Sequence, residues 1–360
     1  MRVGIVGCGN ISRQYLDSLP RLANLELTAV ADAVPAAAEA VGASHGVPVL
    51  GVPELLASPE VDVVLNLTTP QAHASLSIAA LEAGKHVYLE KPFATSLADA
   101  DAMLAASAAA DRRLGSAPDT VLGTGTQTAR ALIDRGDIGQ PVAATAFMMS
   151  PGHESWHPNP AFYYAVGGGP LLDMGPYYLT SLVTMLGPIT EVTAMAGRPQ
   201  QVRTAPAGAP RAGEGFPVEV ETTVSAVLRH AAGAVSTLLV SFDVVASALP
   251  RIEVYGTEGT VAVPDPNRFD GDVALGRAGT FEQVAPLAGY DGAGRGYGLA
   301  DMARAIADGG PHRQSATLGY HVNEVMERVL QAASTGTVVA VQSTCERPAP
   351  VPPGADPATA

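Results

Sequence analysis

The residues Val3-Gly4-Ile5-Val6-Gly7-Cys8-Gly9-Asn10-Ile11-Ser12 determine how the first half of this chain folds. Val3 to Val6 is a short apolar run that predicts a buried strand, and Arg13 to Leu19 predicts a helix. The Gly-x-Gly-x-x-Ser turn lies between them. The first glycine permits a tight turn, the second lets a pyrophosphate approach the backbone, and the third position needs a small residue for helix packing. The pattern predicts a dinucleotide site formed by Gly7, Gly9, Asn10 and Ile11.

A carboxylate follows the second predicted strand. Leu25 to Ala31 forms this strand and ends at Asp32, near the distance of about 20 residues expected for the acid that binds the ribose diol. Such an acid repels a 2'-phosphate, and Ala33 offers no cation to bind one. NAD is therefore favoured over NADP. The alternative is that Asp32 only caps the helix predicted from Pro35 to Val41.

The alternation of strand and helix continues through the first third of the chain. Val61 to Leu67 is rich in valine and leucine, as expected for an interior parallel strand. Thr68-Thr69-Pro70 follows it, with His73 close by. In a doubly wound sheet the carboxyl ends of the strands face the ligand crevice, so these residues are candidates to line a nicotinamide site. They are equally compatible with an ordinary turn and helix start.

The first candidate for chemistry is in Lys85-His86-Val87-Tyr88-Leu89-Glu90-Lys91-Pro92-Phe93. Val87 to Leu89 predicts a short buried strand. A carboxylate, an amine and a proline follow it directly, a combination suited to the rim of a cleft. A lysine there can be held at a reacting oxygen, which makes Lys91 the first catalytic candidate. Glu90 and Lys91 are also compatible with a solvated strand end.

Taken together, the glycine turn, Asp32, Thr68-Thr69-Pro70 with His73, and Glu90-Lys91-Pro92 resemble the Gfo/Idh/MocA family of sugar and polyol oxidoreductases. The resemblance extends over nearly the whole chain. It implies an NAD(P)-dependent dehydrogenase or reductase with an N-terminal Rossmann domain. It also implies that Lys91 acts beside the nicotinamide with Glu90 as a cofactor neighbour, and that the Lys91–Pro92 peptide is cis.

The parallel pattern stops near Ala117-Pro118-Asp119-Thr120, and a helix is predicted from Thr124 to Asp134. We therefore expect a dinucleotide-binding domain over residues 1–121 and a substrate-binding and oligomerisation domain over residues 122–346. Asp119 is a candidate for the substrate cleft, or it caps the helix that follows.

The segment His153-Glu154-Ser155-Trp156-His157 matches the His-Glu-x-x-His pattern of zinc peptidases. That pattern binds zinc only on a helix, where residues four apart share a face. Pro151 precedes it and Pro158 and Pro160 follow, which leaves room for about one turn of helix. We therefore expect no metal site, and a loop over the cleft in which His153, Trp156 and His157 contact a polyhydroxylated ligand. A surface loop with Trp156 in the core is the alternative.

The segment Gly167-Gly168-Gly169-Pro170-Leu171-Leu172-Asp173-Met174-Gly175-Pro176-Tyr177-Tyr178 resembles the family's glycine-rich loop and helix. In that family an aspartate and, four residues later, a histidine point at the substrate. Asp173 matches the aspartate, but Tyr177 replaces the histidine. Lys91 nearby would stabilise a phenolate, which makes Tyr177 one proton carrier and Asp173 its rival. Pro176 could kink the helix and separate the two side chains.

Alternating strands dominate the rest of the chain, over residues 142–149, 218–228, 234–244, 251–255 and 260–263. They predict a C-terminal α+β domain with a large, mostly antiparallel sheet, closed by helices at 299–308 and 319–334. The resemblance implies a homodimer or homotetramer assembled through this sheet. The proline-rich tail, residues 347–360, is predicted to be disordered.

Composition limits the partners and the location. Hydrophobic residues make up 47% of the chain and charged residues 16%, with a formal net charge of −14. Nucleic acids and anionic membranes bind clustered Lys and Arg, so neither is expected as a partner. Two cysteines at opposite ends indicate no disulfide framework. We find no signal sequence or membrane-spanning run and expect a cytoplasmic protein.

The leading hypothesis is an NAD(H)-dependent oxidoreductase that interconverts a secondary alcohol and a ketone on a sugar, polyol or glycoside. Lys91 would stabilise charge on the oxygen while Tyr177 or Asp173 moves the proton. Three alternatives remain: an NAD-retaining enzyme that cleaves a glycoside through transient oxidation, a catalytically silent NAD-binding sensor, and a zinc hydrolase at residues 153–157.

Overall fold

The computed structural model describes residues 1–359, and its first lobe is a five-stranded parallel sheet. Each strand ends at the same edge of the sheet. The strand order is β2-β1-β3-β4-β5, so the chain reverses direction across the sheet between β1 and β3. The strands are β1 (Arg2–Val6), β2 (Glu26–Ala31), β3 (Val63–Asn66), β4 (His86–Leu89) and β5 (Leu114–Ser116). The predicted doubly wound parallel sheet is confirmed.

Helices alternate with these strands, and local signals explain where several begin. Pro35 and Pro70 occupy first helical positions, where the missing N–H costs nothing. The Ser96 side chain accepts a hydrogen bond from the Asp99 N–H and caps another helix. The helices of this lobe are α1 (Asn10–Ser18), α2 (Pro35–His45), α3 (Val52–Ala57), α4 (Pro70–Glu82) and α5 (Leu97–Ala110).

The second lobe is a nine-stranded sheet with neighbours in the order β15-β14-β13-β12-β6-β11-β10-β7-β16. All pairs are antiparallel except β6 with β11. The mostly antiparallel sheet is confirmed. Its strands are β6 (Pro141–Met149), β7 (Ile189–Gly197), β10 (Thr223–His230), β11 (Val235–Ser241), β12 (Ile252–Gly256), β13 (Thr260–Val263), β14 (Val273–Arg277), β15 (Thr280–Val284) and β16 (Val339–Ala340), while β8 (Val202–Thr204) pairs separately with β9 (Gly215–Pro217).

Helices α6 (Thr124–Asp134), α7 (Gly169–Leu186) and α9 (Ala316–Thr335) contribute buried residues to the same core as one face of this sheet. Helix α7 lies deepest, because nearly every residue in its second half is buried. Leu179 and Leu182 are fully buried in this core beside Val224 and Leu238. Fully burying an aliphatic side chain of this size stabilises the fold by about 1.5 to 3 kcal/mol.

Helix α8 (Tyr297–Asp308) returns to the first lobe. Leu299 and Met302 lie in the same buried cluster as Val3 and Ile5 of β1. The first lobe therefore includes a segment that the prediction assigned to residues 122–346. This return also brings the residues just before α8 close to the cleft between the lobes.

The C-terminal tail, which we predicted to be disordered, packs along both lobes up to residue 359. The Arg347 guanidinium donates to the Asp134 carboxylate at 2.7 Å. Val351 is fully buried, and its N–H donates to the side-chain oxygen of Gln127 at 2.9 Å. Proline restricts the unfolded chain, so ordering this segment costs less entropy than its composition alone suggests. Within residues 1–359, no helix combines the length and hydropathy needed to cross a bilayer.

Candidate functional site

One large cavity of about 880 Å³ opens between the two lobes at the carboxyl ends of β1 to β4. Most of the predicted site residues line it: Gly7, Gly9, Asn10, Ile11, Asp32, Thr68, Thr69, Pro70, Glu90, Lys91, Trp156, His157, Asp173 and Tyr177. Three predicted residues, His73, Asp119 and His153, are not part of its lining. A cavity of this kind at a switch point of an α/β sheet is the usual place for a dinucleotide.

The glycine turn after β1 has the geometry that a dinucleotide needs. Gly7 has φ of +104°, and a Cβ there would lie 2.6 Å from the carbonyl carbon and oxygen of Leu67. A Cβ on Gly9 would meet nothing within 4 Å. Gly7 is therefore required by the packing of β1 against β3, whereas the open space at Gly9 faces the cavity. Ser12, in the third position, is buried and donates its hydroxyl to the Gly9 carbonyl at 2.7 Å.

Backbone N–H groups fix the Asp32 carboxylate at the end of β2. One oxygen accepts from the Cys8 N–H at 2.6 Å and the other from the Val34 N–H at 2.7 Å. The bond to Val34 lies just before α2 and does not cap that helix, whereas the carboxylate lies at the cavity wall. Of the two predicted roles of Asp32, the ligand role is the one that this geometry favours. The residues present fit the adenosine ribose of NAD, since a fixed carboxylate can accept both ribose hydroxyls.

His73 packs between the two turns that border the cleft after β3 and β4. It is fully buried, with Nδ1 2.8 Å from the Pro92 carbonyl oxygen and Nε2 3.1 Å from that of Thr68. These contacts join the turn after β3 to the turn after β4. The neutral ring donates to one of these carbonyls and lies against the other, so His73 positions Thr68 and Pro92. Contrary to our prediction, it does not line the cofactor cavity.

Lys91 lies where the two lobes meet. Its Nζ donates to the Asp173 carboxylate at 2.6 Å and to the Asp173 carbonyl at 2.8 Å. The Glu90 carboxylate accepts from the Lys91 N–H at 2.9 Å and from the Tyr15 hydroxyl at 2.8 Å. The Lys91–Pro92 peptide is cis, as the resemblance implied. The lysine is thus anchored at its backbone by the first lobe and at its ammonium by the second.

The Asp173 carboxylate is shared by two partners. Lys91 binds one oxygen, and His153 Nε2 lies 3.5 Å from the other. Burial alone would raise the pKa of Asp173, but the Lys91 charge and the His153 contact outweigh it and hold that pKa at about 2. Burial disfavours the Lys91 ammonium, yet Asp173 and Tyr177 raise the pKa of Lys91 above its usual range. The pair is therefore ionic at neutral pH.

Tyr177 is on the same face of α7 as Asp173, although Pro176 lies between them. The helix is continuous from Gly169 to Leu186, and the Tyr177 ring centroid is 5.4 Å from Lys91 Nζ. The predicted convergence of an amine and a phenol is therefore present. Burial raises the pKa of Tyr177, and the nearby charges of Arg295 and Lys91 only partly oppose this rise. Lys91 therefore favours the phenolate as we expected, but burial outweighs its charge and the resting side chain is a neutral phenol.

The loop between β6 and α7 contributes aromatic rings to the cleft. His153 stacks on Tyr163 with centroids 3.7 Å apart and planes 7° apart, and Trp156 lies next to it at 5.3 Å. The Trp156 side chain is 59% exposed and lines the cavity with His157. Trp156 is therefore outside the core, in a place where a ligand can cover it.

Glu154, the second residue of the His-Glu-x-x-His pattern, faces the protein interior. Its carboxylate accepts from the Tyr164 hydroxyl at 2.6 Å and from Arg203 Nε at 2.7 Å. Residues 154–156 form a turn instead of a helix. Over residues 1–359 no group of three or more His, Cys, Asp or Glu side chains is placed to hold a metal.

Asp119 occupies neither of its two predicted positions. It is fully buried, and its Oδ2 accepts from the Gly296 N–H at 2.8 Å and the Gly298 N–H at 3.1 Å. It therefore caps α8, which is distant in sequence, and not α6, the helix that we predicted it to cap. A polar residue after a strand is compatible with either place, because the sequence does not show which helix returns to it.

Sequence reasoning missed two residues of the site. Arg295 donates to the Tyr177 hydroxyl at 3.0 Å, and Tyr163 forms the aromatic wall behind His153. Arg295 lies among glycines in Gly292-Ala293-Gly294-Arg295-Gly296, with no spacing that relates it to Tyr177. Tyr163 is one of three consecutive aromatic residues after Pro160, and that cluster was the available signal.

Comparison with known proteins finds one family model for each lobe. The family model described as an oxidoreductase family with an NAD-binding Rossmann fold matches residues 1–117. The model of the GFO/IDH/MocA C-terminal domain matches residues 126–262. Together they cover most of the chain and both walls of the cavity.

Curated relatives include dehydrogenases and reductases. Myo-inositol 2-dehydrogenase of Thermotoga maritima is 28% identical over 264 residues, which cover 72% of this chain and 74% of that protein. 1,5-Anhydro-D-fructose reductase of Ensifer adhaerens is 33% identical over 178 residues, or 48% of this chain; the chain spans about half the length of that relative, 53%.

Solved structures share the fold over nearly the full length. An NAD-binding oxidoreductase from Klebsiella pneumoniae superimposes with a TM-score of 0.81 at 25% identity, covering 95% of this chain and 98% of that one. Levoglucosan dehydrogenase in complex with NADH and L-sorbose gives a TM-score of 0.78 at 23% identity, covering 95% and 99%. With the two family matches, these similarities show that the chain belongs to the Gfo/Idh/MocA oxidoreductase family and has its NAD-binding Rossmann fold.

Proposed function

We propose that this protein is an NAD(H)-dependent oxidoreductase that interconverts a secondary alcohol and a ketone on an uncharged sugar, polyol or glycoside. The observation that carries the proposal is Lys91, whose ammonium is held by Asp173 at the point where the NAD cavity meets the second lobe. NAD, when bound, accepts or supplies the hydride. Side chains of the protein stabilise the charge and move the proton at the reacting oxygen.

Lys91 has a hydrogen-bond donor left for substrate. An ammonium carries three N–H donors, and Asp173 accepts two of them through its carboxylate and its carbonyl. The third is available to an alkoxide or carbonyl oxygen, and a fixed cation stabilises the negative charge that develops there. Asp173, with a pKa of about 2, is a poor proton acceptor at neutral pH. We therefore favour Tyr177 over Asp173 as the group that moves the proton.

Charge and shape support an uncharged carbohydrate. Lys91 and His157 are the basic side chains among the described residues that line the cavity, and the Lys91 charge is already matched by Asp173. A phosphorylated or nucleotide-linked sugar would have no free cation beyond them. Trp156 and Tyr163 offer ring faces, which pack well against the C–H faces of a sugar.

The test is a substrate panel with a matched pair of lysine variants. We expect turnover of at least one of myo-inositol, levoglucosan, L-sorbose and 1,5-anhydro-D-fructose, followed by NADH absorbance. Lys91→Ala should lower kcat by roughly 100- to 1,000-fold, because it removes a donor aimed at the developing charge. NADH affinity, measured by fluorescence, should change little.

Lys85→Ala is the control. Lys85 is the other lysine of the chain, and its Nζ binds the Ser58 and Val61 carbonyls outside the cavity lining. Normal turnover in Lys91→Ala would overturn the assignment. Firm NAD binding with no turnover of any compound would favour the sensor. Cleavage of a glycoside without accumulation of NADH would favour the NAD-retaining alternative.

A second copy of the chain is the proposed partner. The face of the nine-stranded sheet opposite α7 is open at β7 and β10, where Met195 is 82% exposed and Val227 is also exposed. Exposed apolar surface on a sheet face is typical of an interface. We propose a homodimer or homotetramer formed through this face. Sedimentation equilibrium of the purified chain measures the stoichiometry, and a monomer at assay concentration would contradict the proposal.

A further inference from the structure

A buried arginine lies directly behind Tyr177. Arg295 immediately precedes Gly296 at the start of α8 and is only 5% exposed. Its Nη2 donates to the Tyr177 hydroxyl oxygen at 3.0 Å and to the Asn267 side-chain oxygen at 3.1 Å. The guanidinium carbon lies 5.2 Å from the Tyr177 ring centroid. The two side chains therefore meet at the hydroxyl, and the guanidinium also lies within cation–π distance of the ring.

The structural partners of Arg295 do not fully account for its burial. Its Nη1 is 3.7 Å from Asp119 Oδ1, and both of these buried atoms lack a hydrogen-bond partner among residues 1–359. Taking a charged pair out of water costs several kcal/mol per ion and is repaid only by good geometry. A loose pair of this kind is weak evidence for a role in stability. The hydrogen bonds of this arginine go to Asn267 and to Tyr177, and of these two residues Tyr177 lines the cavity.

That contact determines what the Tyr177 hydroxyl can do. A phenol has one O–H donor and an oxygen that accepts. Arg295 donates to the oxygen, and no described residue accepts the hydroxyl proton. Tyr177 lines the cavity beside Lys91, whose own third N–H is also unused. Two unused donors, one from each lobe, therefore belong to residues that line the same cavity, with Lys91 Nζ 5.4 Å from the Tyr177 ring centroid.

We propose that Arg295 is a positioning residue that holds Tyr177 as the hydrogen-bond and proton donor to the substrate oxygen bound by Lys91. This inference rests on the proposed function. In the reductive direction the carbonyl carbon gains hydride and the C=O π electrons move to oxygen. The O–H bond of Tyr177 breaks as the alcohol O–H forms. The resulting phenolate lies against Arg295 and regains a proton from solvent; oxidation is the reverse.

The surrounding charges are consistent with this role. Burial raises the pKa of Tyr177, Arg295 and Lys91 lower it, and Glu90 and Asp173 raise it. Of the two charges that lower the pKa of Tyr177, that of Arg295 has the larger effect. Replacing it with a neutral residue should therefore raise the Tyr177 pKa further and disfavour the phenolate that proton transfer creates.

The first experiment needs no substrate. Protein labelled with carbon-13 at the tyrosine Cζ gives one resonance per tyrosine, and Tyr177→Phe identifies the one of interest. In Arg295→Met we expect this resonance to shift and to titrate at higher pH than in the unaltered protein. Arg268→Met is the matched control, because Arg268 is an exposed arginine that lines the same small surface pocket as Arg295 and makes no side-chain hydrogen bond in the described part of the chain. An unchanged Tyr177 resonance in Arg295→Met would overturn the proposal.

The second experiment is a double-mutant cycle, using 1,5-anhydro-D-fructose with NADH as the probe. Tyr177→Phe should lower kcat by about 100-fold, within the range for general acid catalysis. Arg295→Met should lower kcat by about tenfold with a smaller change in KM, and should cost nothing more in the Tyr177→Phe background. Fully additive losses would show that Arg295 does not act through Tyr177 and would overturn the proposal.

The experiments also cover two other outcomes: a variant that does not fold, and a panel with no turnover. If Arg295→Met does not fold, Arg295→Lys is measured in the same two ways; it keeps the charge and should restore part of the effect on both the resonance and kcat. If no panel compound is turned over, the proposed function fails. The Tyr177 resonance then still shows whether Arg295 controls the titration of the Tyr177 hydroxyl.

Discussion

The two walls of the cavity are constructed differently. In the first lobe, backbone forms the wall: the turn at Gly7 and Gly9 leaves room for a ligand, and two N–H groups aim the Asp32 carboxylate. In the second lobe, side chains form the wall. Asp173 reaches Lys91 across the cleft, and Tyr163 stacks on a neighbouring ring. A backbone wall is fixed by the fold, whereas a side-chain wall changes with each substitution.

This difference explains why a single fold can keep its cofactor and exchange its substrate. The Gly7 turn contacts the end of β3, so changing it disturbs the sheet itself. Trp156 and His157 lie on a loop, outside the strands and helices, so their replacement leaves the sheets intact. We therefore expect cofactor binding to respond to added backbone bulk and substrate choice to respond to side-chain truncation.

The largest expected effect is that of Gly7→Ala. The new Cβ would overlap the Leu67 carbonyl group at 2.6 Å, in a backbone conformation of φ +104° that alanine rarely adopts. Left-handed strain and a clash with backbone together should lower the free energy of unfolding by more than about 3 kcal/mol. Urea unfolding measures the loss. A variant as stable as the parent protein would show that the turn is not fixed by the sheet.

Gly9→Ala sharpens the same test. Its φ is −78° and a Cβ would meet nothing within 4 Å, so the stability should change by less than about 0.5 kcal/mol. NAD affinity should still fall by roughly 100-fold or more, because the second glycine is where the pyrophosphate approaches. Calorimetry gives the affinity. If Gly7→Ala and Gly9→Ala behave alike, the distinction between a fold glycine and a ligand glycine fails.

The first wall could be predicted from the sequence because its determinants are local. A turn within six residues and one acid at the end of the next strand specify the dinucleotide site, and the sheet order follows from strand and helix alternation. The predicted parallel sheet and the NAD cofactor are confirmed. The Asp32 spacing indicated the correct region even though it left open whether the carboxylate caps a helix or faces a ligand; the carboxylate lines the cavity, and α2 has no side-chain cap.

The second wall was only partly predictable, because its contacts join distant segments. Lys91, Asp173 and Tyr177 could be paired in advance through the family resemblance, and the structure brings them together. Arg295 could not be found, since its contact depends on α8 folding back onto the first sheet. No periodicity or spacing in the sequence encodes that return.

Burial of polar residues was the other missing information. His73 and Asp119 follow strand ends, where a polar residue usually faces the crevice, but both are fully buried and bind backbone groups. The proline-rich tail suggested disorder by composition, yet Val351 is fully buried in the core of the first lobe. Composition predicts how a segment behaves in isolation. It carries no information about the surface against which the segment packs in the folded protein.

The smallest expected effect tests the one side chain on which the backbone wall depends. Asp32→Asn keeps one oxygen that can accept from a backbone N–H, but its NH2 group cannot accept from the second, so the turn keeps one of its two bonds. The ribose hydroxyls lose a charged acceptor, and hydrogen bonds to charged groups exceed neutral ones by about 1 kcal/mol. NAD affinity should therefore fall roughly fivefold. NADP affinity should rise, because the carboxylate that repels a 2'-phosphate is gone. Calorimetric titration with both cofactors measures the two changes.

Asp17→Asn, on the exposed side of α1, is the control and should alter neither affinity. A loss as large as that of Gly9→Ala would mean that the Asp32 charge, and not the space left by glycine, carries most of the binding.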